Sequence, residues 1–168
     1  ICFYWAGHIL GSSFIIIKIK NENGIEKIIT FSGDVGHKRN ILLMPPELLK
    51  QTDFLVLEST YGCKLHPRVP ALDLLELYLN SILKKSGAVI IPSFSVGRTQ
   101  DVLYLIKVLM EDNKIPHVPV FLDSPLSRRA NKIFGEYFRA GHIKGEVTNH
   151  ENIYPSTLNE IDSVSESI

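Results

Sequence analysis

The chain has 168 residues, of which 45% are hydrophobic and 21% charged, and 18 basic side chains balance 18 acidic ones to give a formal net charge of zero. That composition excludes a disordered chain, and zero net charge excludes attraction to nucleic acid through overall charge, so any basic groove has to be local. The length fits one domain or parts of two.

Ile1 to Trp5 has strong strand character. Residues 1–17 are mostly apolar, but no basic leader precedes them and Gly7, His8, Gly11, Ser12 and Ser13 interrupt the run. A signal peptide or a membrane span needs an unbroken apolar stretch, so neither is expected. The chain does not begin with Met, and its first residues already read as core, so it is expected to continue a longer polypeptide. Cys2 and Cys63 match no metal or redox spacing. They are expected to be free, buried-type thiols in a reducing, cytoplasmic setting.

Phe14 to Lys20 reads as a second strand, with Ile15, Ile17 and Ile19 on one face. Asn21-Glu22-Asn23-Gly24 is a hairpin turn signal, and Ile25 to Phe31 returns as the partner strand. Ser32-Gly33-Asp34-Val35-Gly36 follows, a tight turn presenting one carboxylate. Pro45-Pro46-Glu47 is expected to open a short helix. Asp53 to Glu58 reads as an apolar strand buried between layers and ending in a carboxylate.

From about residue 70 the pattern alternates. Leu72, Leu75, Leu79 and Ile82 mark an amphipathic helix ending at Gly87, and Ala88 to Pro92 reads as a buried strand. A loop from Ser93 to Arg98 leads into a helix from Thr99 to about Glu111. Val118 to Asp123 is the next strand, and Ser124-Pro125 opens a helix to about Ala140. Such alternation predicts parallel βαβ units. From Thr148 the sequence is polar and unpatterned, with no partner strand expected.

Three strands end in a useful group: His8, Asp34 and Glu58. On one sheet rim these are zinc-ligand types, at roughly 2.0–2.2 Å from a metal. A bridged pair of metals about 3.5–4 Å apart orients a hydroxide for in-line attack at phosphorus. Pattern alone leaves open the plainer reading of Asp34 as a turn residue bonded to its own backbone.

The stretches Ala6-Gly7-His8-Ile9-Leu10-Gly11-Ser12, Phe31-Ser32-Gly33-Asp34-Val35-Gly36 and Leu57-Glu58-Ser59-Thr60-Tyr61-Gly62 resemble successive motifs of the metallo-β-lactamase superfamily in its β-CASP branch of RNA-processing nucleases. Ile91 to Gln100 and Leu122-Asp123-Ser124-Pro125-Leu126 resemble landmarks of that branch's inserted cap. The resemblance implies an α/β fold: a partial αββα metallo-β-lactamase core over 1–62, then most of a β-CASP cap with a parallel βαβ sheet over 63–168. It implies that His8 is a terminal zinc ligand, that Asp34 bridges two zincs, and that Glu58 orients a later histidine acting as general acid. Ser93, Arg98 and Gln100 fall in the cap's signature loop. Arg98 reads either as a phosphate contact or as the partner of a local carboxylate. His66 is a further substrate-binding candidate, whereas His37 reads as solvated. Arg128, Arg129, Lys132 and Arg139, interrupted by Glu136, read as a solvated helix face.

The activity implied is hydrolysis of RNA phosphodiester bonds by metal-bound hydroxide, with two zincs as cofactors. RNA is the implied partner, in a homodimer or an RNA-processing complex, without a membrane. The family's His-x-His-x-Asp-His motif and its later histidines are not in this sequence. The chain alone is therefore expected to bind zinc weakly and not to turn over. Two other readings stay open: a catalytically silent paralogue serving as a scaffold, and a DNA-directed β-CASP nuclease.

Overall fold

The computed structural model describes residues 1–65, 69–85, 87–144 and 152–161. Two compact units divide the chain, Ile1–Leu65 and His66–Ile168. Both sheets and helices are present, so the fold is mixed α/β.

In the first unit, β-branched and aromatic runs form four strands: β1 (Cys2–Trp5), β2 (Ser13–Lys20), β3 (Glu26–Phe31) and β4 (Phe54–Val56), in the order β1-β2-β3-β4. β1 and β2 are antiparallel with Trp5 opposite Ser13, β2 and β3 are antiparallel with Lys20 opposite Glu26, and β3 and β4 are parallel with Phe31 opposite Val56. The β2–β3 turn closes as its sequence predicts. Gly24 takes a φ of 77°, where a side chain would be strained, and its N–H donates to the Asn21 carbonyl at 2.9 Å. The covered face of β2 carries Phe14 and Ile16, with Thr30 paired beside Ile16, whereas Ile15 and Ile19 are exposed.

Several expectations are corrected in this unit. No helix forms at Pro45-Pro46. Each residue before a proline is pushed out of the helical region, and proline supplies no N–H. The stretch lies along β1 instead: the Glu47 N–H donates to the Trp5 carbonyl and the Trp5 indole donates to the Met44 carbonyl, both at 2.9 Å. β4 is not buried between layers. It pairs with β3 alone, and Phe54, Leu55 and Val56 are each at least half exposed. Among the described residues this unit has no helix, so the αββα layering is not seen in it. Cys2 and Cys63 are free, but exposed rather than buried.

The second unit contains α1 (Ala71–Leu83), α2 (Arg98–Glu111), β5 (Val120–Leu122), α3 (Pro125–Arg139) and β6 (Leu158–Glu160). Leu79 of α1 packs with Ile106, Leu109 and Met110 of α2 and with Ile115, and Leu72, Leu75 and Val89 close over them. The 88–92 run reaches this core through Val89 but makes no ladder, and Ile90 is 90% exposed. Apolar content does not make a strand without a neighbouring strand to bond. The reverse correction applies to the C-terminal stretch. Leu158–Glu160 is a strand, parallel to β5, and β5–α3–β6 is a βαβ unit. Three residues, with only one of them apolar, were too short a run to show a period.

Candidate metal centre

The directions of four strands explain why chemistry collects at one rim. β2 runs opposite to both β1 and β3, and β4 runs with β3, so β1, β3 and β4 all end on the same side. The loops that follow them carry His8, Asp34 and Glu58. Sheet order puts β2 between the first two, so the loops must arch over it to meet.

Backbone contacts bring them together. The Gly36 N–H donates to the Ala6 carbonyl at 2.8 Å, and the Asn40 amide donates to the Gly7 carbonyl. A Cβ at Gly36 would lie 1.8 Å from the Gly7 carbonyl oxygen, so only glycine allows this approach. Gly7 itself has a φ of 66°. Ser12 fixes the His8 loop, its hydroxyl accepting from the His8 and Ile9 N–H groups at 3.0 and 3.2 Å. The result places His8 Nε2 3.7 Å from Asp34 Oδ2, on an open surface where the two side chains are 45% and 72% exposed.

Glu58 braces the same rim. One carboxylate oxygen accepts from the Val35 N–H at 3.0 Å and the other from the Thr60 N–H at 3.1 Å, while the Ser32 hydroxyl accepts from the Glu58 N–H at 3.0 Å. These donors hold the Glu58 carboxyl below its ordinary value, Val35 first and Thr60 next, with a smaller pull from His8. Residue for residue, Glu58 ties the turn that carries Asp34 to the turn after β4.

The donor pair fits two positions of a zinc site. Two ligands about 2.1 Å from one tetrahedral ion stand about 3.4 Å apart, close to the separation seen here. The described residues supply no more than that. Among them, no group of three or more His, Cys, Asp or Glu side chains is placed to hold a metal ion.

The remaining candidates lie in the second unit. Ser93 and Arg98 are exposed, and Arg98 opens α2. Its side chain makes no ion pair or hydrogen bond among the described residues. Gln100 is fully buried. Its carbonyl accepts from the Gly97 N–H at 2.7 Å, and its amide donates to the Ser95 carbonyl and to Asn131 Oδ1 at 3.2 and 2.9 Å. Ser95 and Ser124 hydroxyls are 3.2 Å apart, joining the two loops that precede α2 and α3. His66 lies outside the described residues.

Sequence reasoning missed Asn131 and Glu160, which extend this network. The Asn131 amide donates to Glu160 Oε1 at 2.8 Å, and the Tyr154 hydroxyl donates to the Asn131 carbonyl at 2.9 Å. Burial and the Glu160 charge push the Tyr154 phenol up, keeping it a neutral donor. A usable signal did exist, because Asn131 falls between Ala130 and Phe134 on the apolar face of α3. A polar residue there demands a partner.

Comparison with known proteins adds a family. The Beta-Casp domain family matches residues 99–168. The chain is 31% identical over 152 residues to a ribonuclease of Thermus thermophilus, covering 89% of this chain and 33% of the relative. It is 32% identical over 173 residues to an RNase J-like protein of Methanocaldococcus jannaschii, covering 99% and 38%. Residues 99–168 therefore carry a β-CASP domain. A third relative, cleavage and polyadenylation specificity factor 73 of Drosophila melanogaster, is 30% identical over 142 residues, covering 83% of this chain and 20% of its own length. The chain thus spans between about a third and two fifths of the length of the first two relatives.

Proposed function

We propose that this chain is part of a β-CASP ribonuclease that hydrolyses RNA phosphodiester bonds at a zinc centre. His8 would serve as a terminal donor and Asp34 as the shared carboxylate of a two-zinc site. The single observation that carries the reading is the His8–Asp34 pair, 3.7 Å apart at a rim where three strands end. The names of the relatives, ribonuclease and RNase J-like protein, support RNA as substrate.

Zinc, when bound, supplies the positive charge that favours in-line displacement at phosphorus and lowers the pKa of a water to about 7. The chain's own residues prepare the site. Gly36 and Gly7 let the two donor loops touch, and Glu58 fixes the Asp34 turn through the Val35 N–H. A carboxylate has about four acceptor sites, so beyond its Val35 and Thr60 donors Glu58 can also orient an imidazole acting as general acid. Arg98, exposed and without an intrachain partner among the described residues, is proposed as a phosphate contact with Ser93 beside it. Assembly as a homodimer or within an RNA-processing complex belongs to the same proposal.

The test is cleavage of labelled single-stranded RNA by the polypeptide carrying this chain, with single-stranded DNA of the same sequence in parallel. RNA cleavage lost on chelation and restored by zinc is expected, and His8→Ala should raise the zinc concentration needed for restoration. Cleavage indifferent to chelation would overturn the zinc assignment. No cleavage in any metal condition would favour the scaffold, and cleavage of DNA alone the DNA-directed nuclease.

A further inference from the structure

We propose that α3 carries a separate phosphate-binding surface, lined by Pro125, Arg128, Arg129 and Lys132, which takes backbone phosphates of single-stranded RNA. This rests on the RNA reading above but uses none of the residues assigned there.

The four residues follow one another at helical spacing and so form one stripe, with Arg128 and Arg129 each one turn from Pro125 and Lys132 one turn further on. They line a concavity of about 240 Å³ with three cations and no carboxylate. The hollow between these side chains gives a phosphate a place to sit that a flat solvated face lacks. Arg129 and Lys132 make no ion pair or hydrogen bond among the described residues. Two positive charges at the hollow thus have no ion-pair partner among the described residues.

The wall behind them is built. Arg128 Nε lies 3.8 Å from Glu160 Oε2, the other oxygen of Glu160 accepts from Asn131, and Asn131 accepts from Gln100. Asn131 is 3% exposed and Gln100 0%. Glu160 therefore compensates Arg128 and leaves a net of two charges at the hollow. The hollow begins at the first turn of α3, where the helix dipole adds to the same positive potential. A chain of zero net charge has no general field to attract RNA, so attraction must come from a local excess of this kind.

Two uncompensated cations make a quantitative expectation. Each phosphate neutralised on a single strand contributes about 0.7 to the slope of log binding constant against log salt. The measurement is fluorescence anisotropy of labelled oligouridylate across a potassium chloride series. It is made in the Asp34→Ala background so that the RNA stays intact. Arg129→Gln with Lys132→Gln should weaken binding about ten-fold at low salt and reduce the slope by about 1.4. Arg129→Lys with Lys132→Arg, which keeps both charges, should restore the slope. Arg139→Gln, on the same helix but outside the hollow, should change neither quantity. An unchanged slope in the double Gln variant, an equal effect of Arg139→Gln, or no binding of oligouridylate by the parent would each overturn the proposal. RNA cleavage is scored separately in the Asp34 protein, so failure of this surface and failure of the ribonuclease reading give different results.

Discussion

Gly36 shows how one residue can set the geometry of a site it does not chemically join. Any side chain there meets the Gly7 carbonyl oxygen, and the neighbours that must yield are backbone atoms of the loop carrying His8. Gly36→Ala is expected to force the loops apart and to destabilise the first unit by at least about 2 kcal/mol, readable by urea denaturation. Glu58 acts through hydrogen bonds at the same rim. Its folded carboxyl titrates below the ordinary 4.5, so its stabilisation is complete above that pH and is lost as pH falls below it. Asp53 behaves alike below its ordinary 3.8, held down first by the Ile28 N–H and then by Lys27. Melting temperature should therefore drop on acidification through this window, and Glu58→Gln should flatten the drop. An unchanged acid limb in that variant would remove Glu58 from the explanation. That His8, Asp34 and Glu58 come to one rim was legible in the sequence because each follows a strand pattern. Asn40 and the Gly7–Gly36 contact were not, since they depend on which loops the sheet order brings together.

Among the elements, those with a strong local signal form where expected. α1, α2 and α3 each show apolar spacing at helical period, and α3 has Ser124 as its N-cap, accepting from the Ser127 N–H at 3.2 Å. The α1–α2 core is anchored by Leu109, which is fully buried against Leu79 and Ile115. Leu109→Ala should cost about 2–5 kcal/mol, from lost burial and the cavity left behind. A change under about 1 kcal/mol in denaturant unfolding would mean that the helices are not packed as described. The elements misread from sequence share one cause. Residues 88–92 look like a strand and 158–160 do not, yet the ladder forms between β5 and the latter. Strand pairing is a property of two segments, and composition reports on one at a time. At Pro45-Pro46 the restriction on residues preceding proline outweighed proline's tolerance in a first helical turn.

The whole molecule divides into two units with different chemistry on each. One carries the His8–Asp34 pair braced by Glu58, and the other carries Arg98, the buried Gln100–Asn131–Glu160 network and the cationic hollow on α3. The family resemblance was legible because five short stretches occur in order, and the match over 99–168 agrees with it. The β5–β6 closure and the placement of Asn131 were not, because they rest on contacts made far along the chain. The measurement that bears most directly on the ribonuclease reading is paired cleavage and binding of RNA by the polypeptide carrying this chain, with and without Asp34→Ala. Loss of cleavage with RNA affinity retained within about two-fold is the expected result. Cleavage that survives the substitution would contradict a metal-bridging role for Asp34.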